Sequence, residues 1–96
     1  MKTIYKIKDI THLNGNTRTD GRYPIRINSI VCIKDEFLME YFPAVMFYIK
    51  NGLGDICTGK CIYTSAVNRI DKIETKLTIY TRNSVYYLEE INEGDL

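Results

Sequence analysis

Hydrophobic and polar residues alternate over short stretches of this chain, and no long window shows the three-and-four spacing of an amphipathic helix, so the pattern predicts strands. The clearest block is residues 64–88, TSAVNRIDKIETKLTIYTRNSVYYL, in which apolar and β-branched residues come in short runs parted by polar pairs. It divides into strands over 67–73, 76–81 and 84–88, with tight turns at Glu74-Thr75 and Arg82-Asn83. Leu77 and Ile79 share one face of the middle strand, Thr78 and Tyr80 the other. The last strand is fairly apolar on both faces, Val85 and Tyr87 opposing Tyr86 and Leu88. Such a strand is either central in a closed barrel or applied to a partner.

Upstream, residues 3–10 (TIYKIKDI) read as a first strand with lysines projecting outward, and 13–23 (LNGNTRTDGRY) as a loop or short hairpin turning at Asn14-Gly15 and Asp20-Gly21. Pro24 leads into 25–33 (IRINSIVCI), expected as the central strand with a bulge near Asn28-Ser29. After a turn at Lys34-Asp35, the most hydrophobic stretch, 37–48 (FLMEYFPAVMFY), is expected as two short strands around Pro43. Residues 51–59 (NGLGDICTG) form an irregular glycine-rich loop, and 60–64 a strand that joins the C-terminal meander. The end, 89–96, is expected as a flexible acidic tail.

Composition agrees with strands and narrows the class. A chain of 96 residues holds one core, hence a single domain over 1–96, and its apolar share leans on isoleucine and tyrosine rather than on strong helix formers. The fold expected is all-β, a small, partly open barrel (SH3-like or similar) of about five to seven antiparallel strands with at most one short helix. The formal charge of +1 supplies no bulk attraction to nucleic acid or an anionic membrane. Its distribution is uneven: residues 1–35 carry seven basic groups against three acidic, and 36–59 one basic against three acidic. Charges at Lys6, Lys8 and Asp9 interrupt any leader-like apolar run, no stretch is long enough to span a membrane, and three cysteines suit free thiols in a reducing compartment. A cytoplasmic protein is expected.

The elements Thr64-Ser65-x-Val67 and Thr81-x-Asn83-Ser84-x-Tyr86-x-Leu88 resemble the C-terminal ends of short uncharacterised bacterial and prophage proteins. The resemblance spans about a quarter of the chain, implies an all-β fold and carries no activity, cofactor or catalytic residue.

Candidate chemistry is sparse. Cys57 and Cys61 have a spacing that paired metal ligands use, but Cys32 lies within an apolar run and His12 is single and distant, so no metal or other cofactor is expected. His12 is also the one conventional base for a cysteine nucleophile, and no phosphate loop, dinucleotide fingerprint or nucleophile elbow is present. No enzyme is expected. The leading reading is a protein-binding or self-associating module, with a homodimer as the simplest assembly and a mobile-element inhibitor or accessory protein as an analogy of size. The alternative is a barrel that binds single-stranded nucleic acid by stacking bases on tyrosines beside a basic groove. Under either reading the candidate binding residues are Arg18, Arg22, Tyr23, Arg26, Tyr80, Arg82 and Tyr86, with the 51–59 loop beside them, and Tyr86 is expected at the surface.

Overall fold

The computed structural model describes residues 2–95. Six antiparallel strands follow one another around a closed barrel: β1 (Lys2–Thr11), β2 (Ile30–Lys34), β3 (Pro43–Lys50), β4 (Cys61–Ile73), β5 (Lys76–Thr81) and β6 (Val85–Glu90). β1 closes the circle by serving two neighbours, pairing Lys2 to Lys6 with β2 and Tyr5 to Thr11 with β6. The expected small antiparallel barrel is therefore present, closed rather than partly open. Among the described residues no helix is long and apolar enough to cross a membrane.

Alternation along the strands, shifted in β1 by the irregularity between Ile7 and Asp9, sends Ile7, Ile10, Val31, Met46, Ile62, Leu77, Ile79 and Leu88 into the interior, all nearly inaccessible to water. Burial of such side chains contributes about 1.5–3 kcal/mol each before the entropy of ordering is set against it. Leu77 and Ile79 share the inner face as their spacing predicts, and the turns at Glu74-Thr75 and Arg82-Asn83 fall where expected. The Thr81 hydroxyl closes the second turn, donating to the Ser84 carbonyl at 2.8 Å and accepting from the Ser84 N–H at 3.0 Å. The Asn83 N–H reaches the Ser65 hydroxyl at 3.1 Å. Thr81, Asn83, Ser84 and Ser65 are thus scaffold.

Four expectations are corrected. Residues 25–33 do not form one central strand: Tyr23–Arg26 is a single helical turn, α1, with Pro24 in its first turn, and only Ile30–Lys34 is extended. The fixed φ of proline suits the start of a helix as well as it suits a strand approach, and the left-handed Asn28 (φ 70°) separates the two elements. Residues 37–48 form one strand rather than two. A 3₁₀ turn, Asp35–Phe37, and an irregular stretch over 38–42 precede β3, which begins at Pro43 because a proline at the first strand position sacrifices no ladder hydrogen bond. The segments 60–64 and 67–73 join in the single strand β4, whose ladder to β5 is irregular between Val67 and Arg69. The acidic tail begins later than expected, because Glu89 and Glu90 pair with β1 and the Ile91 N–H bonds to the Ile4 carbonyl at 3.0 Å. A 3₁₀ turn, Glu93–Asp95, follows, and Leu96 lies outside the described residues.

Candidate functional site

Two surface regions come from separate parts of the sequence. The first is the barrel end where the segment between β1 and β2, the 51–60 loop and the β5–β6 turn meet. Arg18 is its hub. The guanidinium donates to the Ser84 hydroxyl at 2.7 Å, to the Asn83 carbonyl at 2.9 Å and to Asp20 at 2.9 Å, and it lies 4.2 Å from the centre of the Tyr23 ring. Arg26 approaches the same ring at 5.1 Å and donates to the Tyr86 hydroxyl at 3.1 Å. The hydrogen bond from Arg18 holds the Asp20 carboxyl below its ordinary value, and the same contact raises Arg18.

Four of the seven candidate residues, Arg18, Tyr23, Arg26 and Tyr86, are therefore brought together, as a clamp that ties the β1–β2 segment to β6. Arg22 and Arg82 are exposed at the same end. Tyr80 stands apart with the Arg69 guanidinium 4.5 Å above its ring. Tyr86 requires correction, because its side chain is 1% exposed and is the largest of the fully buried set. Pairing of Tyr86 with Ile10 of β1 turns this parity of β6 inward, so barrel closure decides between Tyr86 and its exposed neighbour Tyr87. Burial raises the Tyr86 phenol against the opposing influence of Arg26.

The 51–60 loop packs on α1 through its backbone. The Gly52 N–H donates to the Ile25 carbonyl at 2.8 Å, while Leu53 and Ile56 point to solvent. The three cysteines are free thiols, and among the described residues no group of three or more His, Cys, Asp or Glu side chains gathers as a metal site would require. His12 lies 3.7 Å from Asp20, which is already engaged by Arg18.

The second region is the outer surface of β2, β3 and β4. Inward Ala44, Met46 and Ile62 leave the opposite parity, Val45, Phe47, Cys61 and Tyr63, facing outward, with Val45 beside Tyr63 and Phe47 between Cys32 and Cys61. The 3₁₀ turn stacks Phe37 on Phe47 edge to face at 5.6 Å, and the Lys34 ammonium lies 5.1 Å from the Phe47 ring. The following loop adds three large side chains that find no cover. Phe37 is 39% exposed, Met39 48%, Tyr41 81%, Phe42 59% and Tyr63 67%. A groove of about 320 Å³ runs between Phe37, Met39, Phe42, Val45 and Tyr63, with Glu36 on its wall.

Tyr41 is the most telling of these. Its φ of 74° is a left-handed conformation that a bulky residue adopts only at a cost, and the side chain gains almost no burial in exchange. Its N–H is tied to the Val67 carbonyl at 2.7 Å, and the Val67 N–H to the Phe42 carbonyl at 3.0 Å, so the loop is held against β4 with its aromatic residues outward. Another groove, of about 310 Å³, lies over β5 and β6, but Lys8, Lys76 and Glu89 frame it, as on a solvated strand face.

Phe37, Met39, Tyr41, Phe42 and Tyr63 are not among the seven candidate residues, although the run 37–48 is the stretch whose apolar excess supports an interaction module and Tyr63 is one of the tyrosines interleaved with basic residues. The hydrophobic run 37–48 carried the signal, since it exceeds what a small core needs, but the same run supplies Ala44 and Met46 to the interior. No known protein family matches the chain, and neither a curated protein nor a solved structure is detectably similar to it.

Proposed function

We propose that this protein is a non-catalytic protein-binding module and that the outer surface of β2–β4 with the 38–42 loop is its docking face. The supporting observation is the run of uncovered aromatic and thioether side chains from Phe37 to Phe42, continued by Tyr63. At these exposures they present on the order of 500 Å² of apolar surface, the upper part of what a monomer leaves in water. A partner chain or a second copy of this one would cover it, and an inhibitor or accessory protein needs no chemistry beyond such a face.

The nucleic-acid alternative receives less support. It needs exposed ring faces beside free cations. Here Arg18 and Arg26 lie over Tyr23, Arg69 over Tyr80 and Lys72 over Tyr5, so cations and rings engage one another.

The test uses Phe42→Asp, which changes an exposed side chain and is expected to alter stability by no more than about 0.5 kcal/mol. Light scattering and affinity capture are run side by side on the two baits. A dimer or a captured protein present with the wild type and lost with Phe42→Asp is the expected result. Equal behaviour of the two baits at equal melting temperature would refute the docking face.

A further inference from the structure

If the groove beside Phe42 is the docking face, its surroundings determine what chemistry it accepts. About 500 Å² of apolar surface falls short of the roughly 800 Å² that a stable complex takes from each partner, so polar surface around the groove must complete the contact. That surface is acidic. The segment 35–42, DEFLMEYF, contains Asp35, Glu36 and Glu40 and no lysine or arginine. Glu36 lines the groove and Glu40 lies between Met39 and Tyr41; both are exposed, and among the described residues neither takes part in an ion pair. Lys34 lies on the same face, over the Phe47 ring, and its one positive charge leaves the balance with Glu36 and Glu40 negative.

We infer that the docking face takes a segment of another protein in which an apolar anchor is flanked by lysine or arginine. The anchor fills the space between Phe37, Phe42 and Tyr63, and the flanking cations meet Glu36 and Glu40. A second copy fits less well. In a twofold dimer the same patch meets itself, so Glu36 and Glu40 would face a surface of their own sign with Lys34 as the nearest cation in sequence to answer them, which disfavours association. The fixed aromatic residues supply affinity, and the carboxylates select the sign of the partner's charge.

This inference rests on the docking reading, and the test separates the two. Fluorescence anisotropy is measured on the full chain with two labelled peptides that share a Leu-Phe-Leu core and carry a lysine pair or a glutamate pair on each side. The lysine-flanked peptide is expected to bind about tenfold more tightly at low ionic strength. That preference shrinks on going from about 0.05 to 0.5 M salt. The double variant Glu36→Lys, Glu40→Lys removes or reverses the preference at unchanged melting temperature, whereas Phe42→Asp abolishes binding of both peptides. Equal binding of the two peptides, still lost in Phe42→Asp, would overturn the charge selection and leave the docking face standing. A Phe42-dependent dimer in sedimentation equilibrium would likewise keep the face and make the occupant a second copy. Binding of neither peptide would overturn the inference, and binding that Phe42→Asp does not touch would overturn both.

Discussion

Replacing Tyr86 with Ser is expected to remove about 3–5 kcal/mol of stability, the cost of deleting a fully buried aromatic ring. For a domain of this size that is a fall of roughly 15–30 °C in Tm, enough to leave much of the chain unfolded under ordinary conditions. Two losses combine. The ring packs within the hydrophobic cluster, and its hydroxyl accepts the Arg26 hydrogen bond at 3.1 Å that helps hold the β1–β2 segment to β6. Tyr86→Phe separates them, keeping the ring and losing about 1–2 kcal/mol with the hydrogen bond to the charged donor. Thermal denaturation of both variants decides the matter, and a Tyr86→Ser protein that melts within a few degrees of wild type would return the ring to the surface.

The same residue gives a pH dependence whose sign follows from its environment. Burial raises the folded-state phenol above its ordinary value of 10.0, so the fold favours the protonated form. That contribution is complete below the ordinary value and is lost as pH rises from there towards the folded-state value. Alkaline unfolding is therefore steeper for the wild type than for Tyr86→Phe.

Gly52→Ala carries the second large effect and acts through the backbone. A β-carbon at Gly52 would overlap the carbonyl oxygens of Ile27 and Ile25, the latter at 2.5 Å, and neither is the movable end of a side chain. The 51–60 loop must lift from α1 and lose the Gly52 to Ile25 hydrogen bond, at a cost of about 2–3 kcal/mol. Gly94→Ala is the control, since a β-carbon there meets nothing and the change is expected to stay within about 0.5 kcal/mol. Equal melting temperatures for the two variants would mean that the loop does not rest on α1. The glycine-rich loop 51–59, expected beside the candidate binding residues, rests on α1 through this close approach of two backbones and keeps Leu53 and Ile56 in solvent.

The parts of the fold legible in the sequence are those where period two survives. Leu77 and Ile79, with Thr78 and Tyr80 opposite, identify β5, and the polar pairs Glu74-Thr75 and Arg82-Asn83 mark its ends. Where the period is broken the reading fails for a local reason. The irregularity between Val67 and Arg69 divides the pattern of β4, so one strand reads as two. Pro24 fits two conformations, and nothing nearby chooses helix over strand. On β6, Tyr86 and Tyr87 are equally apolar, and strand pairing decides which is inside, Tyr86 lying opposite Ile79 of β5 and Ile10 of β1.

The candidate site divides along the same line. Arg18, Tyr23, Arg26 and Tyr86 do converge, which their interleaving of charge and aromatic character suggested, but they face one another and hold the barrel end together. The docking face was legible only as the hydrophobic run 37–48, without its individual residues, for the opposite reason. Phe42 and Tyr63 have the composition of core residues, and their exposure follows from Pro43 starting β3 and from the outward parity of β4, neither of which is visible one residue at a time.

The most direct test of the docking face is photo-cross-linking in the native cell from a benzophenone amino acid placed at Tyr63, with the same amino acid at Arg22 as the comparison. Both positions are exposed, so the probe leaves the fold intact, and Tyr63 flanks the groove while Arg22 lies at the barrel end. A discrete protein adduct from the Tyr63 position and none from Arg22 is the expected result. An adduct from Arg22 alone, or none from Tyr63, would contradict the docking face.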